Sequence, residues 1–255
     1  MTSRSFFKDY FSETAAAYAA FRPRYPDALF DFVASLPARR VTAWDCATGN
    51  GQAAIPLAKR FDRVIATDAS AEQIAHAEPH ARIGYRVALA DASGIESGSI
   101  DLVTVAQALH WLEPDAFFAE ARRVLGPGGA VAVWCYARPR VAADIDQVIE
   151  RFYAGTLAPY WSPERGLVDQ GYRSIAMPIH EVAAPVVSMA SDMTLDELAG
   201  YLRTWSATRK LAEALKRDPV VEVRDELRRL WGPENERRTV TWPLHVRAGR
   251  LVADR

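Results

Sequence analysis

Two cysteines, Cys46 and Cys135, are all that this 255-residue chain contains. No disulfide framework is possible at that count, and a reducing compartment suits it. An excess of charge is missing too: 31 lysines and arginines meet 32 aspartates and glutamates, a formal net charge of -1. A protein that grips nucleic-acid phosphates needs a basic surface. The pairs Arg39-Arg40, Arg122-Arg123 and Arg228-Arg229 are too scattered for one and read as solvated helix ends or faces. No uninterrupted apolar run approaches the roughly 18 residues of a membrane span. Near the N-terminus Lys8, Asp9 and Glu13 interrupt what would be the apolar part of a secretory signal. The histidines are dispersed at 76, 80, 110, 180 and 245. His76 and His80 have helical spacing, but Pro79 breaks the helix that would align them and no third ligand is near, so no metal site is expected. These absences point to a soluble, cytoplasmic protein with no metal, nucleic acid or membrane as partner.

What is present is an ordinary globular composition, 49% hydrophobic and 25% charged, on a chain long enough to bury a core without staples. From Val41 to about Tyr136 short apolar runs ("VTAWDC", "RVIATD", "RVALAD", "IDLVTVA", "AVAVWCY") alternate with helical patterns ("QAAIPLAKRF", "SAEQIAHAE", "DAFFAEARRVL"). Strands that alternate with helices build a parallel sheet, and the near-continuous apolar runs suit strands covered on both faces. Gly126, in "GPGG", suits the end of the helix before the fifth strand. We therefore expect one α/β domain over 1–255: an N-terminal helical cap (1–40), a core (41–138), an embellishment (139–235) and a terminal strand region (236–255). Within the embellishment, 139–191 reads as irregular. "TLDELAGYLRTWSATRKLAEAL" (194–215) reads as one amphipathic helix opened by a capping box of Thr194 and Glu197, and "VVEVRDELRRLW" as another.

The stretch Asp45-Cys-Ala-Thr-Gly49-Asn-Gly51 joins the first strand to the first helix. A dinucleotide fingerprint carries a third glycine where helix packs on strand. That glycine is missing here, and the acid precedes the turn. Asp68 closes "VIATD", where a carboxylate can accept from a ribose diol and would repel a 2′-phosphate. Asp91 closes "VALAD", followed by Ala92, where a purine amino group could be read. Acids at the ends of three consecutive strands suit a nucleoside ligand without phosphates and with a cationic centre.

Together, "DCATGNGQAA", "VIATDAS", "VALADASGI", "IDLVTVAQALHWL" and "EARRVLGPGGAVAVW" resemble the class I S-adenosylmethionine-dependent methyltransferases, over roughly 41–136 and in that family's order. "YAAFRPRYP", "HWL" and "YLRTWS" resemble a narrower small-molecule subgroup that includes trans-aconitate methyltransferase-like enzymes. The resemblance implies a Rossmann-like three-layer sandwich whose mostly parallel, seven-stranded sheet ends in an antiparallel last strand near 239–247. It implies S-adenosyl-L-methionine as cofactor and S-adenosyl-L-homocysteine as product. Gly49 and Gly51, with Ala47 in the same turn, would admit the methionine moiety, and Asp45 would orient that turn, through the cofactor's amino group if it reaches. Asp68, with Ala69 beside it, would hold the ribose, Asp91 and Ala92 the adenine, and Gln107 would line the sulfonium. The family commonly has glycine where this chain has Ala47, so Ala47 is expected at negative φ. In the family's order the fourth strand separates Cys46 from Cys135, about 9–10 Å across two strand spacings, too far for a disulfide.

On the acceptor side, His110 follows the fourth strand, where an open α/β sheet presents its ligands. It could be a general base for a hydroxyl or amine acceptor, or a wall of the cofactor pocket. A carboxylate acceptor needs no base, but it needs donors such as Tyr18, Arg22 or Arg138. Tyr25 belongs to the same N-terminal segment as Tyr18 and Arg22, Trp111 would form a lid, and Trp161, Tyr201, Trp205 and Arg209 would roof the pocket. Ordinary core packing is the competing reading for Tyr201 and Trp205. The rival functions are an NAD-dependent oxidoreductase and a non-catalytic cofactor-binding regulator.

Overall fold

A computed structural model describes residues 23–252. A parallel sheet forms its centre. Five strands, β1 (Thr42–Cys46), β2 (Arg63–Asp68), β3 (Ile83–Val87), β4 (Ile100–Ala106) and β5 (Leu125–Tyr136), lie in the order 3-2-1-4-5 with every pairing parallel. The order reverses between β1 and β4, and such a switch point opens a crevice at the carboxyl ends of the strands.

Alternation along the strands explains the layers. Val103 and Val105 of β4 and Val131, Val133 and Cys135 of β5 face one way, onto Phe117, Phe118, Ala121 and Val124 of helix α4 (Pro114–Val124). Leu102, Ala130, Ala132 and Trp134 face the other way, onto Leu29, Phe30 and Val33 of α1 (Asp27–Ser35) and Ala54, Leu57 and Ala58 of α2 (Ala54–Ala58). Between β2 and β3 lies the short α3 (Ala71–Ala75), capped by Ser70, whose hydroxyl accepts from the Gln73 N–H. This is the three-layer, Rossmann-like α/β arrangement.

Among the described residues the sheet has eight strands rather than seven. β8 (Arg238–Leu251) is antiparallel to β5 through 244–249, and its other pairings are with β6 (Ile179–Val182) and β7 (Ser188–Met193). Both short strands begin where the sequence reads as irregular: β6 is mostly exposed, and β7 buries only Met189 and Met193 on its inner face, with Ser191 between them, too sparse an apolar pattern to announce a strand. β3 also ends earlier than "VALAD". Val87 pairs with Asp68, the last residue of β2, and the ladder stops where its partner stops. Gly126 is not a left-handed helix end. β5 begins at Leu125, and glycine is needed at 126 because a Cβ there would lie 2.7 Å from the Gly98 carbonyl oxygen.

The embellishment packs helices α5 (Ala143–Glu150), α7 (Leu195–Arg203), α8 (Ser206–Leu215) and α9 (Val220–Trp231) beside the β7–β8 ribbon, whereas its short α6 (Arg165–Asp169) sets Leu167 and Val168 against the face of β4 and β5. The capping box at Thr194 and Glu197 is present. The helix expected over 194–215 is broken, however: the Thr204 hydroxyl donates to the Tyr201 carbonyl (2.6 Å), and Trp205 is extended. Such side-chain bonds compete with the helical ladder. Cys46 and Cys135 are buried free thiols with β4 between their strands. No helix among the described residues is long and apolar enough to cross a membrane.

Candidate functional site

At the carboxyl edge of β1 and β2 the glycine turn is tied down from both sides. Asp68 accepts from the Gly49 N–H (2.8 Å) with one oxygen and from the Ser70 N–H (2.9 Å) with the other, and the Thr48 N–H reaches the Thr67 carbonyl (2.9 Å). Gly49 and Gly51 have φ of 57° and 91°. A Cβ on Gly51 would lie 2.3 Å from the Tyr85 hydroxyl, so both conformation and crowding demand glycine there. Ala47 is also left-handed, at φ 54°, against the expectation of negative φ. The reversal turns Thr48 back onto β2 and onto Asp45, at a cost of about 1–2 kcal/mol for a residue with a Cβ.

Asp45 is fully buried. Its two oxygens accept from the hydroxyls of Thr48 (2.5 Å) and Thr104 (2.8 Å). Burial pushes its carboxyl up to about 6, against the lowering effect of those two hydrogen bonds and with a smaller push from the Asp68 charge. Asp45 therefore orients the turn through Thr48; it is enclosed by the protein rather than open to a ligand's amino group. Asp68 and Ala69 are half-buried at the edge. Asp91 and Ala92 are exposed, four and five residues past the end of β3, in a turn closed by the Ala92 N–H on the Leu89 carbonyl (3.3 Å). That turn is held by the next residue, Ser93, whose N–H donates to Glu120 of α4 (3.0 Å).

A cleft opens beyond the ends of β4 and β5, and its empty space, mouth included, is about 740 Å³. Gln107 stands at its inner end in a left-handed conformation (φ 55°). Its N–H donates to the Trp134 carbonyl and its Oε1 accepts from the Tyr136 N–H, both at 2.8 Å, so the side chain is fixed by the end of β5. His110 and Trp111 follow on a single 3-10 turn, Leu109–Trp111, with their rings 4.6 Å apart. His110 is buried and bonds through Nδ1 to the Tyr172 hydroxyl (2.9 Å). Burial, and secondarily the charge of Arg165, hold its imidazole down at about 3.

The opposite wall comes from the embellishment: Trp161, Arg165, Tyr201, Trp205 and Arg209, with Arg138 from the segment after β5. Tyr153 organises two of these arginines. Its hydroxyl accepts from Arg165 Nε (2.7 Å) and donates to Asp169 (2.8 Å to Oδ1), while the Arg138 guanidinium lies 4.6 Å from its ring centre. Arg138 also pairs with Glu150 (2.9 Å), and Arg165 lies 5.2 Å over Trp161.

Of the residues that the sequence points to on the acceptor side, His110, Trp111, Arg138, Trp161, Tyr201, Trp205 and Arg209 meet in this cleft, together with Gln107, which the resemblance assigns to the cofactor. Tyr201, Trp205 and Arg209 do so from two helices and the break between them rather than from one continuous face. Tyr25 is not part of the lining; its ring packs edge-on against Phe30 (6.3 Å) and Trp134 (5.7 Å). Tyr18 and Arg22 lie outside the described residues. Arg165 and Tyr172, both central here, have no signal in the sequence beyond their residue types.

This geometry has relatives. A family model described as a methyltransferase domain matches residues 44–133. A Dictyostelium discoideum protein that is a methyltransferase by name is 33% identical over 225 residues, 87% of this chain and 86% of that protein. The chain belongs to the methyltransferase family. A solved structure from Anaeromyxobacter dehalogenans, described as a type II methyltransferase, superposes on this methyltransferase with a TM-score of 0.87 at 41% identity, over 92% of this chain and all of that one. A Saccharomyces cerevisiae protein, named as an S-adenosylmethionine-dependent methyltransferase, is 26% identical over 54% of this chain and 50% of its own length. None of these relatives supports the oxidoreductase alternative.

Proposed function

We propose that this methyltransferase takes its methyl group from S-adenosyl-L-methionine and passes it to a small acceptor that bears a carboxylate, as the resemblance to the trans-aconitate methyltransferase-like subgroup implies. The observation that carries the acceptor is the convergence of Arg138, Arg165 and Arg209 on one aromatic-walled cleft beside Gln107. Guanidinium groups match carboxylate geometry, and the near-zero net charge of the chain gives a polyphosphate acceptor little to hold on to.

The edge of β1–β3 fits the cofactor by the chemistry of its donor set. Both Asp68 oxygens accept backbone N–H groups that shape the turn, and a carboxylate at this edge has the acceptor chemistry that a ribose diol calls for. The turn at Gly49–Gly51 presents backbone alone, and the acids at 45, 68 and 91 tolerate a cationic ligand where they would repel a pyrophosphate. The cofactor, when bound, supplies an electrophilic methyl group on a sulfonium. The chain's own task is orientation and exclusion of water, and alignment of this kind is worth roughly 7–11 kcal/mol. A carboxylate held by Arg138, Arg165 and Arg209 would offer a lone pair to that methyl carbon, and the departing thioether would keep the electron pair of the bond to sulfur. No proton moves, and no base is required.

Asp68→Ala is expected to weaken S-adenosylmethionine binding by about 1–3 kcal/mol, from lost charge-assisted hydrogen bonds; calorimetry measures it, and an unchanged dissociation constant removes the ribose assignment. The function itself is tested by calorimetry with S-adenosylhomocysteine against NAD, followed by a screen of small acids read out as homocysteine released from the product. Tight NAD binding alone, or turnover with no acid while alcohols or amines react, would overturn the reading.

A further inference from the structure

The Tyr172–His110 pair decides which atom His110 presents to the cleft. Tyr172 is completely buried, and among the described residues its hydroxyl meets two groups of His110: the backbone N–H, which can only donate to it, and Nδ1 at 2.9 Å, the one acceptor within its reach. Were Nδ1 to carry a proton and donate it, the hydroxyl hydrogen would be stranded in the protein interior, which costs more than an average hydrogen bond returns. Donation from Tyr172 to Nδ1 strands nothing. Burial pushes the Tyr172 hydroxyl well above its ordinary range, so it keeps that proton. A neutral imidazole whose Nδ1 accepts must carry its single proton on Nε2. Nε2 has no partner among the described residues and is not one of the buried polar atoms left unsatisfied, and the residue lines the cleft.

The tyrosine is itself held. Its backbone is left-handed at φ 60°, its N–H donates to the Leu167 carbonyl (2.8 Å), and its carbonyl accepts from Arg247 of β8 (2.7 Å). Arg247 is in turn paired with Glu181 of β6 (3.0 Å). The antiparallel extension of the sheet thus fixes a strained residue whose hydroxyl reaches the cleft's histidine, and strain that the surroundings enforce is a mark of a functional position.

We propose that His110 is a neutral hydrogen-bond donor to the acceptor rather than a base, and that Tyr172 is the positioning residue that locks it in the Nε2–H tautomer. A ring that shows a proton to the cleft has no lone pair there to take one from a hydroxyl or amine. It favours an acceptor that already carries its nucleophilic lone pairs, a carboxylate oriented by Nε2–H beside the arginines. The acceptor part of this inference rests on the carboxylate reading above; the tautomer does not.

The test separates the two. Histidine labelled with nitrogen-15 in the full chain, with the His110 signals assigned by their loss in His110→Gln, should show a protonated Nε2 and a bare Nδ1. Tyr172→Phe should lose that preference. A wild-type spectrum with the proton on Nδ1, or with both nitrogens protonated near neutral pH, overturns the lock. Benzoate is then added with S-adenosylhomocysteine present. It should shift the Nε2 resonance, and Tyr172→Phe should bind it roughly three- to tenfold more weakly, the value of one neutral hydrogen bond. Binding that leaves Nε2 unmoved overturns the donor role. Absence of benzoate binding overturns the acid-acceptor reading and the donor role together, while the tautomer is still read from the spectrum without ligand.

Discussion

Replacing Asp45 with asparagine is expected to abolish a loss of stability of about 3 kcal/mol that the native protein suffers as pH rises from about 4 to about 6. The folded protein holds this carboxyl up to about 6, against an ordinary value of 3.8, chiefly because it is buried. The fold therefore favours the protonated acid. Its contribution is complete below the unfolded value and is lost as pH climbs through the folded one. Asparagine has no charge to desolvate, and the hydroxyls of Thr48 and Thr104 can rotate to serve an amide as both donors and acceptors. Denaturant unfolding of both proteins between pH 4 and 7 should give curves that diverge over that window, with the variant relatively more stable at its upper end. Parallel curves would mean that Asp45 titrates as an ordinary surface acid. The same linkage extends to the proposed cofactor. A cation beside Asp68 and Asp45 favours the ionised acid, so affinity for S-adenosylmethionine should increase with pH across this range in the native protein and increase less in the variant.

The sequence announced this carboxyl, the strand and the glycine turn because all three are local. An apolar run, an acid and two glycines in a row leave few alternatives, and helices such as Val220–Trp231 were legible from their period alone. Ala47 departs from the expected negative φ for a physical reason. Its type argues against φ of 54°, but the chain must double back for Thr48 to reach Asp45 and Thr67, and tertiary geometry overrides the intrinsic preference. Asp91 was placed at a strand end because the apolar run continues to it, whereas the ladder stops where β2 stops. The cleft's far wall was only half visible. Tryptophans and arginines around a capped helix could be seen, but Arg165 and Tyr172 sit in a stretch without periodicity, and only the fold brings them within reach of β4. The pairing of Tyr172 with His110 spans 62 residues, and no sequence spacing encodes it.

The same wall sets the second large effect. Arg165→Ala is expected to reduce kcat/KM for an acid acceptor by about 2–5 kcal/mol, a loss typical of truncating one partner of a buried, hydrogen-bonded charge pair. The loss should fall mainly on KM, because the guanidinium holds the acceptor before and during transfer alike. Stability should fall by less. Asp169, the acid near Arg165 (3.5 Å), keeps the Tyr153 hydroxyl and Arg138 (3.5 Å) as partners after the truncation, so no bare charge is left behind. Lysine should restore only part of the loss. It returns the charge without the planar fork that meets a carboxylate at two points and without the stacking over Trp161. Cofactor affinity should change much less, since the turn at Gly49–Gly51 and Asp68 lie at the ends of β1 and β2, whereas Arg165 lines the cleft beyond β4 and β5. The deciding comparison is between an acid and its neutral amide as competing ligands. The variant should lose affinity for the acid and bind the amide much as before. Equal loss for both would show that Arg165 shapes the cleft without reading the charge of the acceptor, and the carboxylate would then have to be assigned elsewhere.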